Sequence, residues 1–342
     1  MGFRINAIDL LRGIAIILMI QYHVFVYWTK MNYTQYDGII RILGSLPAPL
    51  FLIISGMSFQ IMIEKRIKDR LTKIEIFLDI LKRATYIFVF STLIPFLFGF
   101  ILNINIPFII YWNLFQLISF SMIIFFIIPF LRINLRMPLY ISLSLLIFIL
   151  RYVILFFEVH YLYILVEGVF PLISWANFYL FGMFFCDIFF NSLQTKININ
   201  LLIILFIGIT FLIFGASSDI FFIYFIMIIG VFFTLFSIFY YYLDIKERNP
   251  LLAKKLGRWG KLSFSLYYIH FGIIALGVIV LPQYFNEIYS SGITFFQYLL
   301  ILLIFYIALE IFLILWEKFN YILGFEWIMN KFSKKSLFSE EN

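Results

Sequence analysis

Long apolar segments recur along this chain and alternate with short polar ones. A segment of about eighteen or more apolar residues is long enough to cross a bilayer as a helix. The pattern therefore predicts an all-α, polytopic bundle of about ten transmembrane helices, or eleven if the polar start of the fourth segment is a separate re-entrant piece. The predicted spans are 7–28, 46–63, 77–101, 107–131, 138–156, 163–186, 199–216, 220–242, 263–281 and 294–316.

The distribution of Lys and Arg predicts the orientation of these helices, because cytoplasmic loops carry an excess of both. With the N-terminus inside, all but three of the 25 Lys and Arg residues fall on the cytoplasmic side, and the exceptions are Lys30, Arg41 and Arg151. We therefore predict that both termini are cytoplasmic. Residues 1–319 would form one transmembrane domain and residues 320–342 a short cytoplasmic tail. The bias fits an integral, multi-pass protein of the plasma membrane.

Composition agrees with lipid as the solvent and excludes other classes of protein. Hydrophobic residues make up 64% of the chain and charged residues 13%, whereas soluble domains carry roughly 25% charged residues. The net charge of +7 lies mainly in short loops between apolar segments, where it faces anionic lipid, so no nucleic-acid partner is predicted. The single cysteine, Cys186, excludes an internal disulfide and a multi-cysteine metal site. No metal site is predicted.

The first predicted helix carries ionisable side chains, which are costly at membrane depth and often mark function. Asp9 and Arg12 are three residues apart and share a helix face, so they can pair. His23 follows Arg12 by eleven residues, which returns it to nearly the same face about 16 Å away. A structural ion pair and an interfacial histidine would explain these residues separately. Their combination suits a long anionic ligand, and Gly13 would let another helix or a ligand come close.

Polar residues in later segments offer further candidates. Ser55, Asn113, Gln116 and Trp175 could line a cavity, although packing or helix–helix hydrogen bonds explain such residues equally well. His270 follows the start of the ninth predicted span by about 10 Å of helix. A buried histidine of this kind is often a satisfied core residue.

Several motifs resemble a known family. Residues 9–19, DLLRGIAIILM, are similar to the first-helix signature of the heparan-α-glucosaminide N-acetyltransferase family. The related membrane acyltransferase-3 family has a similar opening, with an arginine followed eleven residues later by a histidine. Weaker matches follow in the family's order, namely PLFLIISG at 49–56, NLFQLI at 113–118 and GKLSFSLYYIH at 260–270. The resemblance implies ten or eleven spans, acetyl-CoA or another acyl-CoA taken from the cytoplasm, and a sugar acceptor on the far side.

The chain departs from the animal lysosomal members of that family at one point. The resemblance implies a histidine in the loop after the first motif, as in those members, and residues 29–45 contain none. His23, one or two turns earlier, is the natural substitute. The chain also lacks a large domain outside the membrane for recognising a polymer, so heparan sulfate itself is not the expected substrate.

Together these observations predict a transmembrane acyltransferase domain that uses acetyl-CoA to modify a sugar amine or hydroxyl. His23 would be the catalytic base, because an imidazole with a pKa of about 6.5 works near neutral pH. Asp9 would orient Arg12. His270 ranks second as a catalytic residue, because it is expected to lie too far below His23 to share one reaction centre unless the helices are strongly staggered. The residues predicted to contact the coenzyme are Arg12, Ser55, Lys82, Arg83, Asn113, Gln116, Trp175 and Lys261.

A transporter or flippase of a polar lipid or sugar is the rival prediction. An Asp–Arg–His stripe inside a membrane would serve proton or substrate translocation as well. Transporters often show inverted repeats, and we find no convincing repeat in the sequence. The predicted partners are an acyl-CoA, a sugar or glycan acceptor and the lipid bilayer. The sequence does not decide between a monomer and a homodimer.

Overall fold

The computed structural model describes residues 5–28, 37–101, 113–158, 165, 170–192, 197–215, 221–248, 250–284 and 294–334. All regular secondary structure in these residues is helical. The chain separates into two compact units. Unit 1 comprises Met1–Leu11 and Ala48–Lys254, and unit 2 comprises Arg12–Pro47 and Lys255–Asn342.

The helices follow in chain order. They are α1 (Asn6–Trp28), α2 (Asp37–Ser45), α3 (Pro47–Lys68), α4 (Lys73–Ile101), α5 (Leu114–Ile124), α6 (Ile133–Phe156), α7 (Leu172–Ser192), α8 (Ile197–Gly215), α9 (Phe221–Phe239), α10 (Leu251–Lys261), α11 (Ser263–Tyr284), α12 (Phe295–Glu317) and α13 (Phe325–Lys334). A π-helical turn, Tyr240–Ile245, continues α9.

The helices confirm an integral membrane protein. Within the described residues, seven helices are long and apolar enough to cross a membrane, and three shorter apolar helices cover Leu114–Phe130, Leu201–Ile213 and Ser263–Gly277. A helix occupies at least part of each of the ten predicted spans. The number of spans and the cytoplasmic placement of both termini stay predictions. The proposed re-entrant start of the fourth span falls largely on residues outside the described ranges.

Two glycines bring α3 and α7 into close contact in unit 1. A Cβ atom on Gly56 would lie 2.0 Å from the carbonyl oxygen of Tyr179, and one on Gly182 would lie 2.0 Å from the carbonyl oxygen of Ile53. Each glycine therefore admits the backbone of the opposite helix, as is common where membrane helices pack. Helix packing thus explains Gly56, the residue that follows Ser55.

A buried cluster of charged and polar side chains links α3, α6 and α7 in unit 1. Asp187 is 1% exposed and accepts hydrogen bonds from Gln60 Nε2 at 2.7 Å, Tyr140 OH at 2.8 Å and Arg136 Nη1 at 3.0 Å. The same Arg136 nitrogen lies 3.1 Å from Glu64 Oε1. One guanidinium thus faces two carboxylates, and losing it would leave buried negative charge without its counter-ion.

A second carboxylate in unit 1 binds the start of α1. Asp244, in the π-helical turn, accepts hydrogen bonds from the backbone N–H groups of Asn6 at 2.7 Å and Ala7 at 2.9 Å. The first N–H groups of a helix have no partner within it, and the helix dipole favours negative charge there. Asp244 therefore caps a helix that lies more than two hundred residues away in sequence.

In unit 2, α10 and α12 pack against α1. A Cβ atom on Gly13 would lie 2.0 Å from the carbonyl oxygen of Leu256, so α10 touches α1 about two turns after its start. From α12, Tyr306 donates a hydrogen bond to the carbonyl oxygen of Ile17 at 2.8 Å. Close backbone contact and tyrosine hydrogen bonds together set the position of α1 among its neighbours in unit 2.

Ion pairs connect α10 to α12 in the same unit. Arg258 pairs with Glu317 at 2.8 Å and with Glu310 at 2.5 Å, and Trp259 Nε1 donates to the other oxygen of Glu310 at 2.8 Å. The exposed Lys255 lies 3.8 Å from Glu310. The Glu310 carboxylate thus accepts from a guanidinium and from an indole N–H. Two such donors fix the orientation of the carboxylate better than a single exposed ion pair does.

Replacing Arg136 with Ala tests the buried cluster of unit 1. We expect the variant to lose about 3–5 kcal/mol of stability, because Asp187 and Glu64 would lose the guanidinium that bonds both of them. Thermal unfolding in detergent measures this as a lower midpoint. The matched control is Arg132→Ala, an exposed arginine that directly precedes the same helix. Equal midpoints for both variants would show that the cluster adds no stability.

Candidate functional site

Two histidines of unit 2 form the centre of the candidate site. His23 Nδ1 on α1 lies 3.0 Å from His270 Nε2 on α11. Their rings are nearly parallel, 5.3 Å apart between centroids with an interplanar angle of 10°. His270 is fully buried, whereas His23 is half-buried. An ionisable pair therefore joins the two helices, with one ring still partly accessible.

The prediction that His270 is too far from His23 to share one reaction centre is wrong. It assumed that α1 and α11 both start at the membrane boundary. Instead the two helices are staggered. Helix α10, which precedes α11, touches α1 at Gly13, and the two imidazoles meet at 3.0 Å.

The hydrogen bonds of the pair define the position of each ring proton. His270 Nδ1 lies 2.9 Å from the carbonyl oxygen of Leu266, and a carbonyl can only accept, so this nitrogen carries a proton. Charge on a buried imidazole is disfavoured, so Nε2 of His270 is an acceptor and Nδ1 of His23 donates to it. In the neutral pair, Nε2 of His23 then keeps its lone pair. His23 has the form that a general base requires.

Aromatic rings surround the pair within unit 2. Phe271 lies 4.5 Å from the His23 ring and 4.6 Å from the His270 ring, measured between centroids. Tyr27 lies 6.0 Å from His23, and Tyr267 lies 5.8 Å from His270. Such an apolar setting holds the imidazoles in place and strengthens the hydrogen bonds between them.

Two of the residues predicted to hold coenzyme phosphates also belong to unit 2. Arg12 is half-buried on α1, and Lys261 is exposed at the last position of α10. Arg12 precedes His23 by about 16 Å along the helix. An arginine can bind phosphate in a bidentate manner, and a lysine binds it as a point charge. Both residue types suit the predicted role.

The other predicted site residues lie in unit 1. Asp9 is buried in the first turn of α1, and its predicted pairing with Arg12 stays a prediction. Lys82 is exposed and Arg83 half-buried on α4. Ser55 is half-buried on α3, and Trp175 is half-buried on α7 with its ring 5.2 Å from that of Phe170 and 5.7 Å from that of Phe178. Their roles in coenzyme binding stay predictions.

Asn113 and Gln116 have structural partners in unit 1. Asn113 caps α5, and Gln116 completes the capping box by accepting from the Asn113 backbone N–H. The remaining amide groups reach α4, because Asn113 Nδ2 donates to the carbonyl oxygen of Ser91 at 2.8 Å and Gln116 Nε2 donates to Thr92 Oγ1 at 2.9 Å. These contacts explain both side chains as a helix cap joined to a neighbour.

Three features of the site and its surroundings were not predicted from the sequence. They are the contact between the histidines, the aromatic setting of the pair, and the cluster around Asp187. The first had a usable signal, since ionisable residues inside membranes usually pair with one another. In the part of the chain that the structure describes, no three His, Cys, Asp or Glu side chains form a group that could hold a metal ion.

Comparison with known proteins supports the resemblance found in the motifs. The sequence model of the family described as heparan-alpha-glucosaminide N-acetyltransferase, catalytic, matches residues 4–228, well over half of the chain. The match includes His23 on α1 and ends within α9, before the helix that carries His270. No curated protein sequence matches the chain. The chain therefore belongs to the heparan-α-glucosaminide N-acetyltransferase catalytic-domain family.

Proposed function

We propose that this protein transfers an acetyl group from cytoplasmic acetyl-CoA to the amine or hydroxyl of a sugar acceptor on the outer side of the membrane. Membership of the family makes it a membrane acetyltransferase. The observation that carries the assignment of chemistry to this chain is the hydrogen bond between His23 and His270. It provides an oriented base, and acyl transfer to a weak nucleophile needs one.

In the proposed reaction, His23 Nε2 takes the proton of the acceptor hydroxyl or amine. The acceptor atom attacks the thioester carbonyl, a bond to carbon forms, and the carbon–sulfur bond of the coenzyme breaks. The proton held by His23 then passes to the departing thiolate, which leaves as the free thiol. His270 supports the imidazolium of His23 by accepting from its Nδ1–H throughout, much as a carboxylate does in other catalytic groups.

Arg12 and Lys261 are the residues of unit 2 proposed to bind the coenzyme phosphates. Their charges complement a polyanionic ligand, and Arg12 lies on the helix that carries the base. The distance of about 16 Å along α1 suits an extended coenzyme whose phosphates and thioester are far apart. The roles of Asp9, Ser55, Lys82, Arg83, Trp175 and the polar residues of α5 remain predictions from the sequence.

A transporter or flippase of a polar lipid or sugar is the second candidate. The hydrogen-bonded histidines favour it to the extent that paired imidazoles inside a membrane can pass protons. Family membership favours the enzyme. The two functions differ in their ligands, since an acetyltransferase must bind acetyl-CoA.

Acetyl-CoA binding separates the two candidates. A ligand that binds the native state raises its stability, so acetyl-CoA at about 100 times its Kd should stabilise the detergent-solubilised protein by about 2.7 kcal/mol. The measurement is the thermal unfolding midpoint with and without acetyl-CoA, with adenosine as the control for nonspecific effects. A shift caused by a lipid-linked sugar alone, with none from acetyl-CoA, would favour transport.

Replacing His23 with Ala removes the proposed base. We expect kcat to fall about 10²- to 10⁴-fold, which is the usual contribution of a positioned acid–base group, with the unfolding midpoint little changed. Release of free coenzyme thiol in the presence of an aminosugar acceptor measures the rate. Gln21→Ala on the same helix is the control. Turnover of His23→Ala equal to that of the parent would remove His23 from the mechanism.

Replacing His270 tests whether it orients His23. His270→Ala should lower kcat about 10- to 100-fold, as losses of orienting partners commonly do, while KM for acetyl-CoA stays near the parent value. His270→Gln should recover part of the loss, because an amide oxygen can accept from His23 Nδ1–H. The same thiol-release assay applies. An equal loss in the Ala and Gln variants would contradict the acceptor role.

A further inference from the structure

The first turn of α11 is held by a carboxylate from the end of the chain. Glu326, on α13, accepts hydrogen bonds through Oε1 from the backbone N–H groups of Phe264 at 2.7 Å and Ser265 at 3.1 Å. Its other oxygen accepts from the Ser265 hydroxyl. The unpaired N–H groups at a helix start are a natural site for an anion, and here a side chain of unit 2 fills it.

Both helices supply hydrogen-bond donors to the contact between α13 and α11. The backbone N–H of Phe325 donates to Ser265 Oγ at 2.9 Å, so that hydroxyl donates to one residue of α13 and accepts from its neighbour. The Phe325 ring lies 5.1 Å from the rings of both Phe264 and Tyr268. Polar and aromatic contacts together fix α13 against the start of α11.

An unusual turn delivers Glu326 to this position. Between α12 and α13, Asn320, Tyr321 and Leu323 adopt left-handed backbone conformations with φ of 51°, 53° and 67°. Trp316 Nε1 supports the turn by donating to the carbonyl oxygen of Ile322 at 2.9 Å. Residues other than glycine hold such conformations only where the surrounding structure requires them, and such sites often have a functional reason.

The turn that Glu326 holds is the one that fixes the ring of His270. Ser265 directly precedes Leu266, whose carbonyl oxygen accepts from His270 Nδ1. That hydrogen bond determines which nitrogen of His270 faces His23, and therefore which nitrogen of His23 is free to act as a base. A shift in the first turn of α11 would move the Leu266 carbonyl and change this chain of hydrogen bonds.

We propose that Glu326 is a positioning residue for the histidine pair, which holds the first turn of α11 so that the Leu266 carbonyl orients His270 and His270 orients His23. Its kinetic consequence rests on the proposed acyl-transfer function. Its structural consequence, the fixed environment of His270, does not. Helix α13 then helps to position the histidine pair, although the sequence predicted residues 320–342 only as a short cytoplasmic tail.

Burial raises the pKa of the Glu326 carboxyl, while its hydrogen bonds from Ser265 and Phe264 oppose that rise. A neutral side chain with an oxygen in the same place can therefore take over much of its role. Gln meets this condition, because its amide oxygen can accept from the backbone N–H groups of Phe264 and Ser265. Ala offers no acceptor at all. The pair of substitutions thus separates loss of charge from loss of the hydrogen bonds.

The experiment compares Glu326→Ala, Glu326→Gln and the control Lys331→Ala, an exposed residue of the same helix. We expect Glu326→Ala to lower kcat per folded protein about 10- to 100-fold, with KM for acetyl-CoA unchanged within about twofold. Glu326→Gln should keep kcat within about threefold of the parent, because its amide oxygen still accepts from the helix start. Diethylpyrocarbonate labelling followed by mass spectrometry should show His270 modified faster in Glu326→Ala than in the parent or in Lys331→Ala.

Equal kcat per folded protein and equal labelling of His270 in Glu326→Ala and Lys331→Ala would overturn the proposal. If Glu326→Ala does not accumulate as folded protein, Ser265→Ala replaces it, since this change removes the hydroxyl link and leaves Glu326 in place. Faster labelling of His270 in Ser265→Ala supports the proposal, and unchanged labelling overturns it. If the parent itself shows no acyl transfer, the proposed function fails, and the labelling of His270 alone decides the role of Glu326.

Discussion

Hydrocarbon offers no hydrogen-bond partner, so a polar group at membrane depth is costly unless the protein supplies one. Burial inside the protein carries the same kind of cost, and the Asp187 cluster and the histidine pair meet it differently. In unit 1, Asp187 is surrounded by three donors from α3 and α6. In unit 2, His270 bonds both the Leu266 carbonyl and His23. In the first cluster the donors converge on the Asp187 carboxylate, whereas the second leaves one imidazole nitrogen of His23 without a partner in the pair.

That difference suggests a structural role for the Asp187 cluster and a chemical role for the histidine pair. A carboxylate bound by a guanidinium, an amide and a phenol has little capacity left for a substrate, and its removal would mainly affect stability. A chain that runs from a carbonyl through His270 to His23 has a direction, because a carbonyl can only accept. The direction leaves the basic nitrogen at the His23 end, on the ring that is half-buried. Position in the hydrogen-bond chain therefore predicts which histidine reacts and which one supports it.

The helices of this fold could be predicted from the sequence because each span needs a long apolar run, and such runs are visible without any tertiary information. The short helices α2, α10 and α13 were not predicted, since none is long enough to span a bilayer. The histidine contact was not predicted either. It depends on the register between α1 and α11, which the contact between Gly13 and the Leu256 backbone sets. Registers of this kind arise from packing, and spacing along a single helix does not reveal them.

Both helices that carry the histidines begin at a carboxylate from a distant part of the chain. Asp244 binds the first N–H groups of α1, and Glu326 binds those of α11. A local cap, such as Thr294 on α12, stabilises its own helix. A distant cap also ties the helix start to another element, so it restrains the helix along its axis. An imidazole–imidazole hydrogen bond of 3.0 Å tolerates little axial sliding of either helix, because hydrogen bonds weaken steeply as their geometry degrades. Within unit 2, the cap that Glu326 places on α11 is therefore the kind of restraint that such a pair requires.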